Sequence, residues 1–287
     1  MSRSTDIAND PTIRGGPSRV FAYVLVGGMV VAAVLPLAWL VLLSVTPQSV
    51  INRRTPAVFF EPTLAHFREI LAGQRSTIVL SLANSLIVSV VSTVVAVVLA
   101  ALCAYGLARL RPPGHRFISL LILAGRLLPP VALMVPMYIA ATQTGLFDTR
   151  TALIIPYIAL SLPLATWMLQ GFFMDLPREL EEAALIDGCN RLTAFVRVIL
   201  PLAGPGIAAA SIFSFILAWN DMAIALTLTL TDAVTLPPFV SQVRAEEGIM
   251  WGQLGAITVF IMAPVLLLSF LVQRWIVGGL TGGATKG

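Results

Sequence analysis

Six stretches of the chain carry no Asp, Glu, Lys or Arg: 20–52, 76–108, 127–147, 151–174, 198–220 and 248–273. Each is at least as long as the roughly 20 residues a helix needs to cross a bilayer. Trimmed at their turn signals, they predict helices near 20–46, 80–108, 117–142, 152–174, 204–229 and 251–276. The third begins upstream of Arg126, because 117–125 is already apolar. The fifth runs through Asp221, because 222–230 is apolar again. Between the first two, an outer loop over 47–79 holds Arg53, Arg54 and an amphipathic stretch from Leu64 to Leu71. No strand-like alternation and no repeat array appears, so the expected fold class is all-α and polytopic, with one six-helix body over 20–276.

Composition changes the solvent rather than the elements. The 287 residues are 57% hydrophobic and 11% charged, where a soluble domain carries about 25% charged residues, so lipid must cover this surface. The pI of about 9.6 suggests an anionic partner. Its basic residues are scattered singly between apolar runs and form no stripe, which excludes nucleic acid. Cys103 and Cys189 make no disulfide or metal spacing, His66 and His115 stand apart, and no metal site is expected. Arg3, Arg14 and Arg19 precede an apolar run too long for a cleavable signal, so the first helix reads as a retained signal anchor.

Orientation follows from the basic residues. With both termini inside, inner segments hold eleven Lys or Arg and outer segments six, which favours cytoplasmic termini for 1–19 and 277–287. The outer connections after the first loop are short, so any external capture of ligand falls to another protein. No GxxxxGK[ST] phosphate cradle occurs, so an ATP-driven motor would also be a separate chain.

The longest inner connection, 175–203, reads DLPRELEEAALIDGCNRLTAFVRVILPLA. Pro177 followed by Glu179, Glu181 and Glu182 marks a helix start, where carboxylates oppose the positive end of the helix. Ala183, Ala184, Leu185 and Ile186 are consecutive, so the helix is expected to be apolar nearly all round and to insert into a protein groove. Gly188 permits a reversal, and a second helix near 191–199 is expected to stop at Pro201.

Glu182-Ala183-Ala184, Gly188, Val198, Leu200 and Pro201 fit the pattern EAA-x3-G-x9-I-x-LP, with Val198 in place of isoleucine. This resembles the loop of binding-protein-dependent ABC importer permeases. The carbohydrate branch, typified by the second permease of the maltose and trehalose systems, is similar in Trp219-Asn220-Asp221, in the proline-rich 128–138, in Trp251-Gly252-Gln253-Leu254 and in the tail GLTGGATKG. The resemblance implies a type I importer fold in the bacterial inner membrane. It implies that Glu182, Ala183, Ala184, Leu185, Ile186, Asp187, Gly188, Leu200 and Pro201 dock an ATPase, with Gly283 and Lys286 of the tail touching it too. The implied partners are a second permease, two ATPase subunits and an external solute-binding protein. ATP and magnesium would be bound by the ATPase and no cofactor by this chain.

Polar residues inside apolar runs are functional candidates. Arg126 lies about 14 Å into the third span at a rise of about 1.5 Å per residue. It lines a polar pathway, caps the carbonyls freed by Pro129 and Pro130, or pairs with a neighbouring subunit. Asn220 and Asp221, in the outer part of the fifth span, fit an outer gate, a sugar site, a cavity mouth or a hydrogen bond between helices. Trp219 fits either a stacking platform for a sugar or an interfacial belt residue. Gln170 and Asn84 are weaker candidates.

These features favour a non-catalytic permease half carrying a sugar, polyol or glycoside. The competing reading, an ion-coupled secondary transporter, requires intramembrane carboxylates, of which only Asp221 is available. A membrane-embedded enzyme would need an HExxH, paired-aspartate or Ser-His arrangement, and none occurs.

Overall fold

The apolar stretches become helices, with extended breaks at Leu128 and Pro129 and at Asp221, while Pro36, Pro156, Pro163 and Pro264 sit inside continuous helices. A computed structural model describes residues 17–53, 59–72, 77–242 and 250–284, and among these every regular element is helical. The chain begins with α1 (Pro17–Val45), α2 (Gln48–Ile51), α3 (Ala65–Ala72) and α4 (Thr77–Tyr105), the last running into a π turn over Gly106–Leu110. Next come α5 (His115–Ala124), a 3-10 turn over Gly125–Leu127, α6 (Pro130–Gln143) and α7 (Arg150–Asp175). The long connection holds α8 (Glu179–Ile186), α9 (Arg191–Ala194), a π turn over Phe195–Ile199 and α10 (Leu200–Leu202). The chain then forms α11 (Gly204–Asn220), α12 (Ala223–Leu228), α13 (Leu236–Gln242) and α14 (Trp251–Ala284).

Among the described residues, four helices are long and apolar enough to cross a membrane: Phe21–Val45, Ile78–Leu110, Arg150–Asp175 and Trp251–Phe270. Two bent pairs would raise this to six if each counts as one span: α5 with α6, bent by 85°, and the segment Arg191–Leu202 with α11, bent by 78°.

Three expectations about continuity are corrected. The third stretch is not one helix: Leu128 and Pro129 are extended, with ψ of 120° and 127°. A residue preceding proline is pushed out of the helical region, and Pro130 then opens α6, where no amide hydrogen is needed. The fifth does not run through Asp221, which adopts ψ 130° between α11 and α12. Pro201 does not stop its helix, which continues to Leu202 and turns at Ala203. The widened turn before it, with Leu200 N–H donating to Phe195 O, accommodates a residue that cannot donate. At the C-terminus α14 extends through the expected tail as far as Ala284, so Gly283 is helical, while Lys286 lies outside the described residues.

Contacts within the chain group it into two compact units, Met1–Phe67 with Met250–Val259, and Arg68–Ile249 with Phe260–Gly287. In the first, Thr63 N–H donates to Val45 O at 2.8 Å, and the buried His66 ring meets Thr46 O at 2.8 Å, so α3 is pinned beneath the end of α1. Apolar side chains along α1 stay exposed, Phe21, Val24, Val31 and Trp39 among them, as a lipid-facing helix requires.

In the second unit α4 packs on α7 and α11. Ala96, Ala100 and Ala104 recur every four residues on α4 and are fully buried. Val94, Val98 and Leu102 on its other face are exposed. Small residues on the packed face let helix backbones approach closely where lipid offers no hydrophobic drive. Gly206 of α11 shows how close: a Cβ there would fall 2.5 Å from the ring of Phe172 on α7. One core cluster gathers Tyr105, Phe173, Phe195 and Ile199, and another gathers Val88, Leu153, Tyr157, Ile224 and Leu228.

Candidate functional site

The long connection is built around α8. Its C-terminus is closed by two hydrogen bonds, Gly188 N–H to Leu185 O at 3.1 Å and Cys189 N–H to Ala184 O at 3.0 Å. With Gly188 at φ +87°, this is the Schellman termination that glycine favours. Asn190 then caps α9, its Oδ1 accepting from Thr193 N–H at 2.8 Å. Sequence and local geometry together therefore fix a helix, a sharp reversal and a second helix.

The apolar residues of α8 point both outward and inward. Glu182, Ala183, Ile186, Asp187 and Gly188 are exposed, with Ile186 at 86%. Ala184 is buried and Leu185 half-buried against the rest of the chain. Leu200 is also half-buried and packs on the Tyr105 cluster, while Pro201 is exposed. The motif is thus split between an outward face, Glu182, Ala183 and Ile186, and an inward one.

The inward face carries a residue that sequence reasoning passed over. Glu181 is 7% exposed, and its Oε1 accepts from the Tyr105 hydroxyl at 2.6 Å. Its Oε2 lies 3.6 Å from Arg109 Nε, an ion pair, while Arg109 also donates to Leu176 O at 2.9 Å. The Tyr105 ring rests 4.6 Å from that of Phe195 and 6.3 Å from that of Phe173. The signal was available: of the three acids, only Glu181 shares a face with both Ala184 and Leu185, three and four positions on.

At the breaks associated with the two bent pairs, the structure brings Arg126, Asn220 and Asp221 together and separates Trp219 from them. Arg126 and Asp221 line a cavity of about 260 Å³ between the break in the third stretch and that in the fifth. Both also line a neighbouring cavity of about 400 Å³, joined there by Asn220. Non-helical backbone at membrane depth is tolerated where it is buried in protein or lines such a cavity. Asp221 Oδ2 accepts from the Tyr157 hydroxyl at 2.8 Å and from the amides of Ile224 and Ala225 at 3.0 and 3.2 Å.

Trp219 fits neither of its expected roles. It is 1% exposed, stacks on Phe215 at 5.4 Å and donates its indole N–H to Ile261 O at 2.9 Å. No ring face is open to a sugar or to an interface. Gln170 lines a third cavity, of about 720 Å³, with Arg116, Trp167 and Asp175. Asn84 is fully buried, donates to Asp232 O and Val234 O at 2.9 and 3.0 Å, and accepts from Arg150 Nε at 2.7 Å. It acts as a brace.

A second unforeseen residue is Asp148, in the connection before α7. At φ +59°, it accepts from the amides of Leu230, Thr231, Asp232 and Ala233 and from the Thr231 hydroxyl, at 2.8–3.1 Å. Partial burial alone would raise its carboxyl pKa, but these donors together hold it down at about 2. No local pattern announces this, since the partners lie more than 80 residues away. Among the described residues, no group of three or more His, Cys, Asp or Glu is disposed to hold a metal ion.

Residues 96–281 match the family model described as binding-protein-dependent transport system inner membrane component. The chain is 38% identical over 262 residues to the trehalose transport system permease protein of Mycobacterium tuberculosis, covering 89% of this chain and 93% of that one. It is 35% identical over 262 residues to the sulfoquinovosyl glycerol transport system permease protein of Agrobacterium fabrum, covering 90% and 91%. It is 32% identical over 271 residues to the diacetylchitobiose uptake system permease protein of Streptomyces coelicolor, covering 94% and 98%. The fold matches a chain of a bacterial ABC transporter involved in import of the acidic polysaccharide alginate. There the TM-score is 0.77 and the identity 22%, over 91% of this chain and 98% of that one.

Proposed function

The chain belongs to the family of binding-protein-dependent transport system inner membrane components, and on that premise we propose how its parts serve sugar import. It is a non-catalytic, multi-pass permease subunit of an ATP-driven carbohydrate importer, with the type I importer fold. It works with a second permease, nucleotide-binding ATPase subunits and a solute-binding protein. The family assignment also replaces the ion-coupled reading. Three relatives are named for trehalose, sulfoquinovosyl glycerol and diacetylchitobiose, which supports a di- or oligosaccharide or a glycoside as cargo.

The finer assignments are as follows. Each bent pair is one span, making six, and the arginine bias puts both termini in the cytoplasm. ATP and magnesium are bound by two copies of the ATPase, not by this chain. Arg126, Asn220 and Asp221 line the pathway for the cargo, supported by the cavities they share. Gly283 and Lys286 touch the ATPase from the C-terminal end, a role resting on the resemblance of the tail alone.

The outward face of α8 is the docking element, and one observation carries this: Ile186 stands 86% exposed beside Glu182 and Ala183, while Glu181 and Ala184 on the opposite side of the same helix are buried. A large aliphatic side chain held out beyond the lipid-facing helices finds its place in a partner's groove. Leu185 and Leu200 fix the loop from behind, Pro201 stands exposed beside them, and Asp187 and Gly188 set its reversal. Co-purification tests this. The tagged chain is expected to bring down an ATPase subunit, and Ile186→Asp or Glu182→Lys to lose it. Retention of the ATPase by both variants would remove the docking assignment.

A further inference from the structure

We propose that Glu181, Tyr105 and Arg109 form the joint through which movement of α8 is delivered to the membrane-crossing helix α4; this rests on the reading of α8 as the docking helix. Glu181 and Glu182 are neighbours in sequence, yet one points into the chain and the other away from it. A single helix turn therefore presents one carboxylate to a partner and holds the other within the protein.

The inner contact is more than packing. Tyr105 is the last residue of α4, and Arg109 lies one turn further on, in the π segment. Together they hold both oxygens of Glu181, and Arg109 also holds Leu176 O just ahead of α8. Apolar surfaces slide past one another at little cost, whereas a short bond to a carboxylate is directional and roughly twice as strong as a neutral one. Burying a charge pair is poor value for stability alone, and its best-attested use is to fix register.

The local backbone agrees. A π turn begins at Gly106, directly after Tyr105, and ends at Arg111 with φ +45°. The other π turn begins at Phe195, whose ring lies on that of Tyr105. Widened turns of this kind are frequent at functional sites. Two of them flank the joint, so displacement of α8 reaches α4 through Tyr105 and the approach to α11 through Phe195. The three polar residues are positioning residues and touch neither nucleotide nor cargo.

The test uses the complex purified from membranes and reconstituted with its binding protein, measuring uptake and ATP hydrolysis together. Tyr105→Phe and Glu181→Gln are expected to keep the ATPase subunit at wild-type yield. Cargo moved per ATP should fall about tenfold, the scale of one charge-assisted hydrogen bond. Glu182→Lys, the docking control, is expected to lose the ATPase instead. Unchanged uptake per ATP in Tyr105→Phe and Glu181→Gln would overturn the joint and leave docking intact, and so would loss of the ATPase from both. Retention of the ATPase by Glu182→Lys would count against the docking reading itself.

Discussion

The Tyr157 hydroxyl donates to the Asp221 carboxylate over 2.8 Å, joining α7 to the gap between α11 and α12. The same oxygen accepts the amides of Ile224 and Ala225, the first that α12 cannot satisfy within itself. Away from water these donors have no alternative partner, so a carboxylate is the price of breaking the helix here. Asp221 therefore has a structural duty in addition to lining the cavities beside Arg126.

Asp221→Ala is expected to lower stability by about 2–4 kcal/mol, combining a lost cap of about 1 kcal/mol with a buried hydroxyl left unpaired at about 1–3 kcal/mol. Asp221→Asn keeps an acceptor and should cost less than half as much. Thermal unfolding of the purified complex, with membrane yield, measures both. If Asp221→Asn assembled normally and yet abolished uptake, the charge itself would be needed in the pathway.

Asp148 offers a prediction about pH. Its carboxyl is held at about 2, below the roughly 4 of an unfolded chain, so the unfolded state binds the proton more readily. Its contribution is then fully present above about pH 4 and lost as pH falls toward about 2. Stability of the 228–236 connection in the wild type should not vary on its account between neutral pH and about pH 5. Asp148→Asn should weaken the knot at every pH in that range and flatten the acid limb attributable to this residue. Limited proteolysis of the 230–236 segment across pH measures it, and a wild type that loosened near pH 6 would contradict the assignment.

The spans were legible because lipid imposes a length and a polarity that any window of sequence displays, as 76–108 and 151–174 do. The breaks were less so. Pro129 and Pro130 announced a disturbance, but an 85° bend depends on what α5 and α6 pack against. Asp221 looked like a charge tolerated within a helix, because Tyr157 is 64 residues away and nothing local predicts that bond. In the long loop, fixed spacing revealed the motif at once. Consecutive apolar residues nevertheless hid which side faced outward, since the inward turn of Glu181 is set by Tyr105 and Arg109, far away in sequence. Trp219 misled for the same reason: its partners, Phe215 and Ile261, are a matter of packing.

At Gly188 backbone conformation and available space can be separated. A Cβ there would meet nothing within 4 Å, so the constraint is the φ of +87° alone. Gly188→Val is expected to strain the reversal by about 1–2 kcal/mol or to re-route it. Gly188→Asn should be milder, since asparagine tolerates left-handed backbone. Fold and membrane yield should survive in both, while ATPase co-purification falls in the order glycine, asparagine, valine. Equal retention across the three would mean that the Schellman turn does not set the aim of α8.

Arg126 distinguishes a pathway from a brace. Its side chain is exposed toward cavities that it shares with Asn220 and Asp221. Removing a charge from such a position should leave assembly within about 0.5 kcal/mol of wild type, as for substitutions that break no packed contact. Arg126→Met is therefore expected to give normal yields of complex and normal basal ATP hydrolysis. The apparent KM for cargo uptake, or the preference among sugars, should shift, and Arg126→Lys should restore part of it. The opposite pattern, low yield with an unchanged KM in the complexes that do form, would assign Arg126 to the carbonyls left open by Pro129 and Pro130. Uptake titrations on reconstituted complex, normalised to assembled protein, decide between the two.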